Sequence, residues 1–334
     1  MRLVVADIGG TKTLLALALA TDTGWRFEHR SRVASQDHAA LADLIAHWLQ
    51  SLPVAVAPDA MGLALAGPVR RTGNRTHGTL TNLPWPPVDS AELERRFGMP
   101  VTLINDFAAI GLALYALGPE DQIDLQRAEP EPEGLRLVVG AGTGLGTCLV
   151  GPAPAQRVYP GEGGHADFSP ADAWQAGFAE WVRERMGRCS RESVLSGSGI
   201  GRIATFLHAQ SPDRTLAEAL AAPDPAAAIT AGAARGDPGA LRVVERFVSM
   251  YGGQLGDIAL AALPKGGVFV AGGIAPRWST HFQTPIFIDS FRNKPPMQAL
   301  LSALPLRLIV HPEPGLLGAA VAARGMLEPA GESQ

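Results

Sequence analysis

Glycine-rich turns at the ends of short apolar strands constrain this chain more than any other feature. Leu3-Val4-Val5-Ala6 runs into Asp7-Ile8-Gly9-Gly10-Thr11-Lys12, and Leu137-Val138-Val139 runs into Gly140-Ala141-Gly142-Thr143-Gly144-Leu145-Gly146. A third apolar run, Val268-Phe269-Val270-Ala271, ends in Gly272-Gly273. After the first two turns the text is again similar: Thr13 to Ala20 alternates leucine with alanine, and Thr147-Cys148-Leu149-Val150 follows the second. Leucine and alanine are good helix formers, but alternation that stops at Thr21-Asp22-Thr23-Gly24 fits a strand better. Two strand–turn–strand units suggest a duplicated α/β fold. Any one of these glycine pairs is equally explained as a tight turn. Glycine also lets the backbone approach a ligand closely, with successive N–H groups turned toward phosphate oxygens.

Between the turns the pattern is that of a layered α/β protein. Trp25 to Val33, Gly62 to Ala66 and Val101 to Ile104 read as strands. Leu41, Leu44, Ile45, Trp48, Leu49 and Leu52 form one apolar helix face. Asn105-Asp106 cap a helix expected to reach Leu117, and alanine-rich helices are expected over Ala171–Met186 and Ala240–Ala262. Arg70 to Gly78 reads as a polar, basic, solvated loop, and the acidic, proline-bearing Gly118–Gly134 as a domain junction. At 334 residues two domains are expected. A net charge of −4 argues against wrapping nucleic acid or an anionic membrane. Two cysteines, Cys148 and Cys189, can form neither a disulfide framework nor a cysteine-rich zinc site. The first apolar run is too short for a signal peptide, and no stretch is long enough for a membrane helix, so a soluble cytoplasmic protein is expected.

Common nucleotide motifs are absent. No G-x-x-x-x-G-K-[ST] occurs, and Gly140, Gly142, Gly144 and Gly146 recur at every second residue instead of as G-x-G-x-x-G. A dinucleotide fold also needs a helix directly after the turn. Asp7 adds a carboxylate able to hold Mg²⁺, through water. Asp106 taken alone reads as a helix N-cap. Glu162 and His165 stand in Gly161-Glu162-Gly163-Gly164-His165, where the glycines exclude a helical metal pair and leave a loop offering a carboxylate and an imidazole. Glu192 fits the first turn of a helix, and its spacing alone does not choose between roles.

Asp7-Ile8-Gly9-Gly10-Thr11-Lys12-Thr13 resembles the phosphate-binding turn of the sugar kinase, actin and heat-shock ATPase superfamily. Asn105-Asp106-Phe107, Gly142-Thr143-Gly144-Leu145-Gly146, Gly161–His165 and Glu313-Pro314-Gly315-Leu316-Leu317-Gly318 follow in the order found in bacterial glucokinases. The resemblance spans Leu3 to Gly325. It implies a two-domain ribonuclease H-like (actin-like ATPase) fold of class α/β. The small domain would hold residues 1–115 plus 315–334 and the large one 116–314, closing on ATP and glucose in a cleft.

By the same resemblance the chain phosphorylates glucose at the 6-hydroxyl with ATP. Asp106 would be the general base, with Asn105, Glu162, His165 and Glu192 around the sugar. Asp7, Ile8, Gly9, Gly10, Thr11 and Lys12, with Gly142, Thr143 and Gly144, would hold the phosphates. Asp7 would assist Mg²⁺, and Gly272 and Gly273 would pack near the adenosine. Thr81 to Trp85 would shape the cleft. Relatives are often dimers, which implies a homodimer. The cysteine-rich zinc motif of the wider family is missing here, which places the chain with zinc-free glucokinases. Lys12 replaces an asparagine common in relatives. A kinase for mannose, fructose or an N-acetylhexosamine is the nearest alternative. A sugar-binding regulator or a chaperone-like ATPase switch fits less well.

Overall fold

The computed structural model describes residues 1–22, 24–53, 57–73, 75–153 and 156–328. Thr23 and Asn74, which fall within segments read above from the sequence, and residues 329–334 lie outside them. The chain divides into two compact units. One holds residues 1–118 with 156–158 and the segment from His311; the other holds 119–155 and 159–310.

The first unit begins with β1 (Arg2–Ile8), β2 (Lys12–Thr21), β3 (Gly24–Ala34), α1 (Leu41–Gln50) and β4 (Ala60–Leu65). It continues through β5 (Val69–Thr72), β6 (Arg75–Gly78), β7 (Val88–Asp89), α2 (Ser90–Phe97), β8 (Val101–Asn105) and α3 (Asp106–Ala113). Its main sheet has the order β3-β2-β1-β4-β8, antiparallel from β3 to β1 and parallel from β1 to β8. The second unit holds β9 (Gln122–Gln126), β10 (Arg136–Ala141), β11 (Leu145–Val150), β12 (Val158–Gly161), α4 (Ala173–Met186), α5 (Arg191–Val194) and α6 (Gly197–Gln210). After these come α7 (Arg214–Leu220), α8 (Pro225–Ala234), α9 (Pro238–Ala262), β13 (Gly267–Ala271), α10 (Ser279–Phe282), α11 (Pro285–Arg292), α12 (Gln298–Ser302) and β14 (Leu306–Ile309). Its sheet runs β12-β11-β10-β13-β14-β9. The final helix, α13 (Pro314–Leu327), belongs to the first unit.

The two sheets repeat one plan. In each, an antiparallel hairpin with a glycine turn is followed by a parallel strand beside its first member, as β1/β2 with β4 and β10/β11 with β13. Arg2 pairs with Leu19 in the first hairpin and Arg136 with Val150 in the second, so the duplication legible in the text is a duplication of topology.

In β1 side chains alternate between faces as strand geometry requires. Val4, Ala6 and Ile8 pack toward Leu44, Ile45 and Trp48 of α1, while Leu3 and Val5 pack toward Leu316, Ala319, Ala320 and Ala323 of α13. Helices therefore cover both faces, and a continuous apolar strand is the result. The leucine–alanine alternation of β2 obeys the same rule: Leu15 joins the α1 side, and Ala16 and Ala18 join the α13 side. Small residues suit that second side because α13 lies close. A Cβ on Gly318 would collide with the carbonyl of Ala109, and one on Gly62 with the carbonyl of Ala319.

In the second unit the core gathers around α9. Phe247, Tyr251, Trp278, Phe282 and Phe287 are buried together, and the Tyr251 hydroxyl donates to the Val139 carbonyl at 2.9 Å.

Three expectations need correction. The basic segment Arg70–Gly78 is a β-hairpin: Arg71 pairs with Thr76, and Thr76 turns inward to accept the Leu103 N–H at 3.0 Å. Exposed Arg75 and His77 alternate with buried Thr76 and Gly78, a period-2 signal outweighed by the arginines. The helix after Asn105 ends at Ala113, because the bonds from Leu114, Tyr115 and Ala116 reach back only three residues. The acidic junction also supplies β9, whose alternating Ile123 and Leu125 pack against the second core. Among the described residues no helix is long and apolar enough to cross a membrane.

The close approach of α13 makes a paired prediction. Gly318→Ala should destabilise the protein by about 1–3 kcal/mol, since backbone must move to admit the methyl group. Gly325→Ala, in the same helix with nothing near its Cβ position, should instead stabilise by about 0.5–1 kcal/mol. Denaturant unfolding of both variants checks the pair; equal effects would contradict the packing described.

Candidate active site

In the first unit the site begins with the turn between β1 and β2. The Gly9 N–H donates to the Lys12 carbonyl at 3.0 Å and closes the turn on itself. Ser35, fully buried, braces it from below: its hydroxyl donates to the Gly9 carbonyl at 2.8 Å, its N–H to the Thr11 carbonyl at 3.1 Å, and its oxygen lies 3.0 Å from the Thr13 hydroxyl. Ile8 is buried, Thr11 and Lys12 face solvent, and Gly10 lies against the Asn82 side chain. Asn82 belongs to the Thr81–Trp85 segment expected to shape the cleft, whereas nothing local in the sequence marks Ser35 as a residue that supports a turn from a distance.

Asp7, one residue before the end of β1, lies beneath the first turn of α13. A Cβ on Gly315 would lie 2.5 Å from the Asp7 carboxylate, so only glycine permits this approach. Burial pushes the Asp7 carboxyl up to about 6, with Asp106 and Glu313 adding repulsion and Lys12 opposing it. Glu313 precedes α13 and lies 3.5 Å from the Arg30 guanidinium. A β-bulge delivers that arginine: His29 and Arg30 together oppose Ala16, and His29 takes a positive φ of 50°. The three carboxylates and Lys12 form an anionic cluster with partial compensation. Among the described residues no three acidic, histidine or cysteine groups converge closely enough to hold a metal directly. A cation with few protein ligands and several waters suits such a set, as Mg²⁺ chemistry does.

Asn105 and Asp106 sit where β8 becomes α3. Asn105, not Asp106, is the N-cap: its Oδ1 accepts the N–H groups of Phe107 at 2.9 Å and Ala108 at 3.1 Å. Its Nδ2 donates to the Gly67 carbonyl at 3.1 Å and to Asp106 Oδ1 at 3.0 Å. Asp106 is the first helical residue, and its Oδ1 also accepts the Phe107 N–H at 2.9 Å. The asparagine thus orients the aspartate, and its polar atoms are already engaged.

The second unit carries the remaining residues. The Gly142 N–H donates to the Gly144 carbonyl at 2.8 Å, so this turn also spends its first amide on closure. A Cβ on Gly144 would strike the Glu192 carboxylate, whose Oε2 accepts the Leu145 N–H at 2.9 Å. Glu192 is therefore bound to the glycine turn. Gly272 and Gly273 follow β13, and the Ile274 N–H donates to the Ala141 carbonyl at 3.3 Å, which brings this pair beside the Gly142 turn. Glu162 and His165 occupy a short 3₁₀ turn after β12, with side chains 92% and 61% exposed and 3.8 Å apart. The structure therefore gathers Asp7, Lys12, Asn105 and Asp106 in one unit and Gly142–Gly144, Glu162, His165, Glu192 and Gly272–Gly273 in the other.

The raised Asp7 carboxyl makes a pH prediction. Between pH of about 4 and 6 the folded protein keeps a proton that the unfolded chain releases, so stability falls as pH rises through that window. Asp7→Asn removes the cost, gaining at most about 3 kcal/mol at pH 8. Urea unfolding across pH 4–8 checks this; an Asp7→Asn profile parallel to the wild type would contradict it.

A family model described as Glucokinase matches residues 4–326. A glucokinase of Synechocystis sp. is 35% identical, covering 96% of this chain and 97% of its own. A glucokinase of Nostoc punctiforme is also 35% identical, over 96% and 98% respectively. The crystal structure of a glucokinase from an Antarctic psychrotroph superposes with a TM-score of 0.81 at 28% identity, covering 97% of this chain and 99% of that one. With the actin-like ATPase fold and a match over nearly its whole length, this chain belongs to the glucokinase family.

Proposed function

We propose that this chain transfers the γ-phosphoryl group of ATP to the 6-hydroxyl of D-glucose, with Asp106 as the general base. As a member of the glucokinase family it is an ATP-dependent sugar kinase. The observation that carries the residue assignment is the fixed orientation of Asp106. Its Oδ1 is held by the Asn105 amide and the Phe107 N–H, so the carboxylate stands at a helix N-terminus in one pose. A positioned carboxylate is what this reaction asks of the protein, since phosphoryl transfer depends mostly on alignment and charge neutralisation.

In this reading Asp106 accepts the proton of the sugar 6-hydroxyl as the oxygen bonds to phosphorus and ADP leaves. Glu162, His165 and Glu192 bind hydroxyls of the ring. The Asp7–Lys12 and Gly142–Gly144 turns bind phosphate oxygens, and Gly272-Gly273 lies by the adenosine. Asn105 acts in this reading by holding the base next to the sugar hydroxyls. The carboxylates of Asp7, Asp106 and Glu313, only partly offset by Lys12 and Arg30, fit a Mg²⁺ held mainly through water, and that ion would neutralise charge on the transferring phosphoryl group. The reading includes no structural zinc. A cytoplasmic homodimer completes the proposal.

Two outcomes test it. Asp106→Asn should lower kcat for glucose by about 10²–10⁴-fold while ATP binding by calorimetry is kept; near-normal turnover would exclude Asp106 as the base. Asp7→Asn should raise the Mg²⁺ concentration needed for half-maximal activity. In the wild type that requirement should rise as pH falls below about 6, because Asp7 then holds a proton that competes with the cation. A Mg²⁺ requirement independent of both changes would remove Asp7 from this role.

A further inference from the structure

We infer that Arg191 and Gln254 are positioning residues that hold the Glu162–His165 loop in its sugar-binding pose. The inference rests on the kinase reading above and adds two residues that touch no proposed ligand. Arg191 opens α5, directly before Glu192. Its Nη1 donates to the Gly163 carbonyl at 3.2 Å, its Nε donates to Gln254 Oε1 at 3.2 Å, and its backbone N–H donates to the Ala166 carbonyl at 2.9 Å. One guanidinium therefore ties the middle of the loop to helix α9.

Gln254 is only 2% exposed, in the middle of a helix whose neighbours are apolar. Its Nε2 donates to the Ser169 carbonyl at 2.7 Å, and its Oε1 accepts the Ser169 N–H at 3.3 Å as well as Arg191 Nε. The orientation of this amide is fixed by its partners. Turned over, its NH₂ would face two other donors and leave a buried carbonyl unpaired. A buried polar side chain is costly unless satisfied; Ser169 satisfies this amide from one side, and its Oε1 keeps a second acceptor position for Arg191.

The loop has one further anchor. Thr147 on β11 donates its hydroxyl to the Gly161 carbonyl at 2.9 Å and accepts the Gly163 N–H at 3.1 Å. Thr147 fixes the loop to the sheet, and the Arg191–Gln254 strut fixes the opposite edge of Gly163 to α9. Glu162 and His165 project from either side of this double-anchored glycine and are themselves exposed, so the backbone at Gly163 sets where they point. The same four-residue helix presents Glu192 to Leu145, and the Gly197 N–H beyond it donates to the Gly142 carbonyl at 2.9 Å. Residues 191–197 thus brace both the sugar loop and the glycine turn, Arg191 serving the first, Glu192 and the Gly197 N–H the second.

The test uses steady-state kinetics and amide exchange on the full chain. Arg191→Met and Gln254→Met should each raise the glucose KM about tenfold, equivalent to about 1.4 kcal/mol. The ATP KM should stay within twofold and kcat within threefold. The double variant should be no worse than either single one, because the two residues act through one strut. Arg191→Lys keeps a cationic donor beside the Gly163 carbonyl and should recover part of what Arg191→Met loses. In sugar-free protein, amides of residues 161–166 should exchange faster in Arg191→Met, with α9 unchanged. Glucose KM values within twofold of wild type, or glucose KM, ATP KM and melting temperature shifting together, would overturn the inference. Wild-type protein that phosphorylates no sugar would instead overturn the kinase reading. The strut would then stand or fall on the exchange of residues 161–166 alone.

Discussion

The Asp7 carboxylate lies under the first turn of α13 at a distance only glycine at 315 allows, and much of the first unit is organised by that contact. It requires α13 to sit close to β1, which in turn requires Gly318, Gly62 and the alanines of β2 on the same side. It also leaves an acid in a place where burial disfavours its charge, and Asp106 and Glu313 make that worse. In the proposed reading, that cost in the free protein is offset when the charge meets a cation bound to phosphate.

The second unit contains a counterpart. Glu192 rests on Gly144 as Asp7 rests on Gly315, again with no room for a side chain on the glycine. In both units a carboxylate is held against a glycine close to the turn after the first strand of the duplicated hairpin. The chemistry differs: Asp7 has its charge destabilised, whereas Glu192 accepts the Leu145 N–H and is anchored by it. The duplicated topology has been put to two uses, one electrostatic and one structural.

How far the sequence could be read depends on whether a signal was local. The strands ending in glycine turns, the α1 face of Leu41, Leu44, Ile45 and Trp48, and the long helix before β13 are all set by periodicities within one segment. The family followed from several short motifs in a fixed order. The Arg70–Gly78 hairpin was misjudged because charge masked its alternation. Asn105 and Asp106 both resembled caps, and only the hydrogen bonds separate the cap from the residue it orients. Ser35, Arg191 and Gln254 were invisible, since their partners lie 26, 28 and 85 residues away in sequence.

A wild-type assay addresses the account most directly. The protein would be supplied with Mg²⁺ and ATP and offered glucose, mannose, fructose, glucosamine and N-acetylglucosamine in turn, with the site of phosphorylation read by NMR. The account predicts glucose-selective turnover with the phosphate on the 6-oxygen. Hydrolysis of ATP at one rate whatever sugar is present would contradict it.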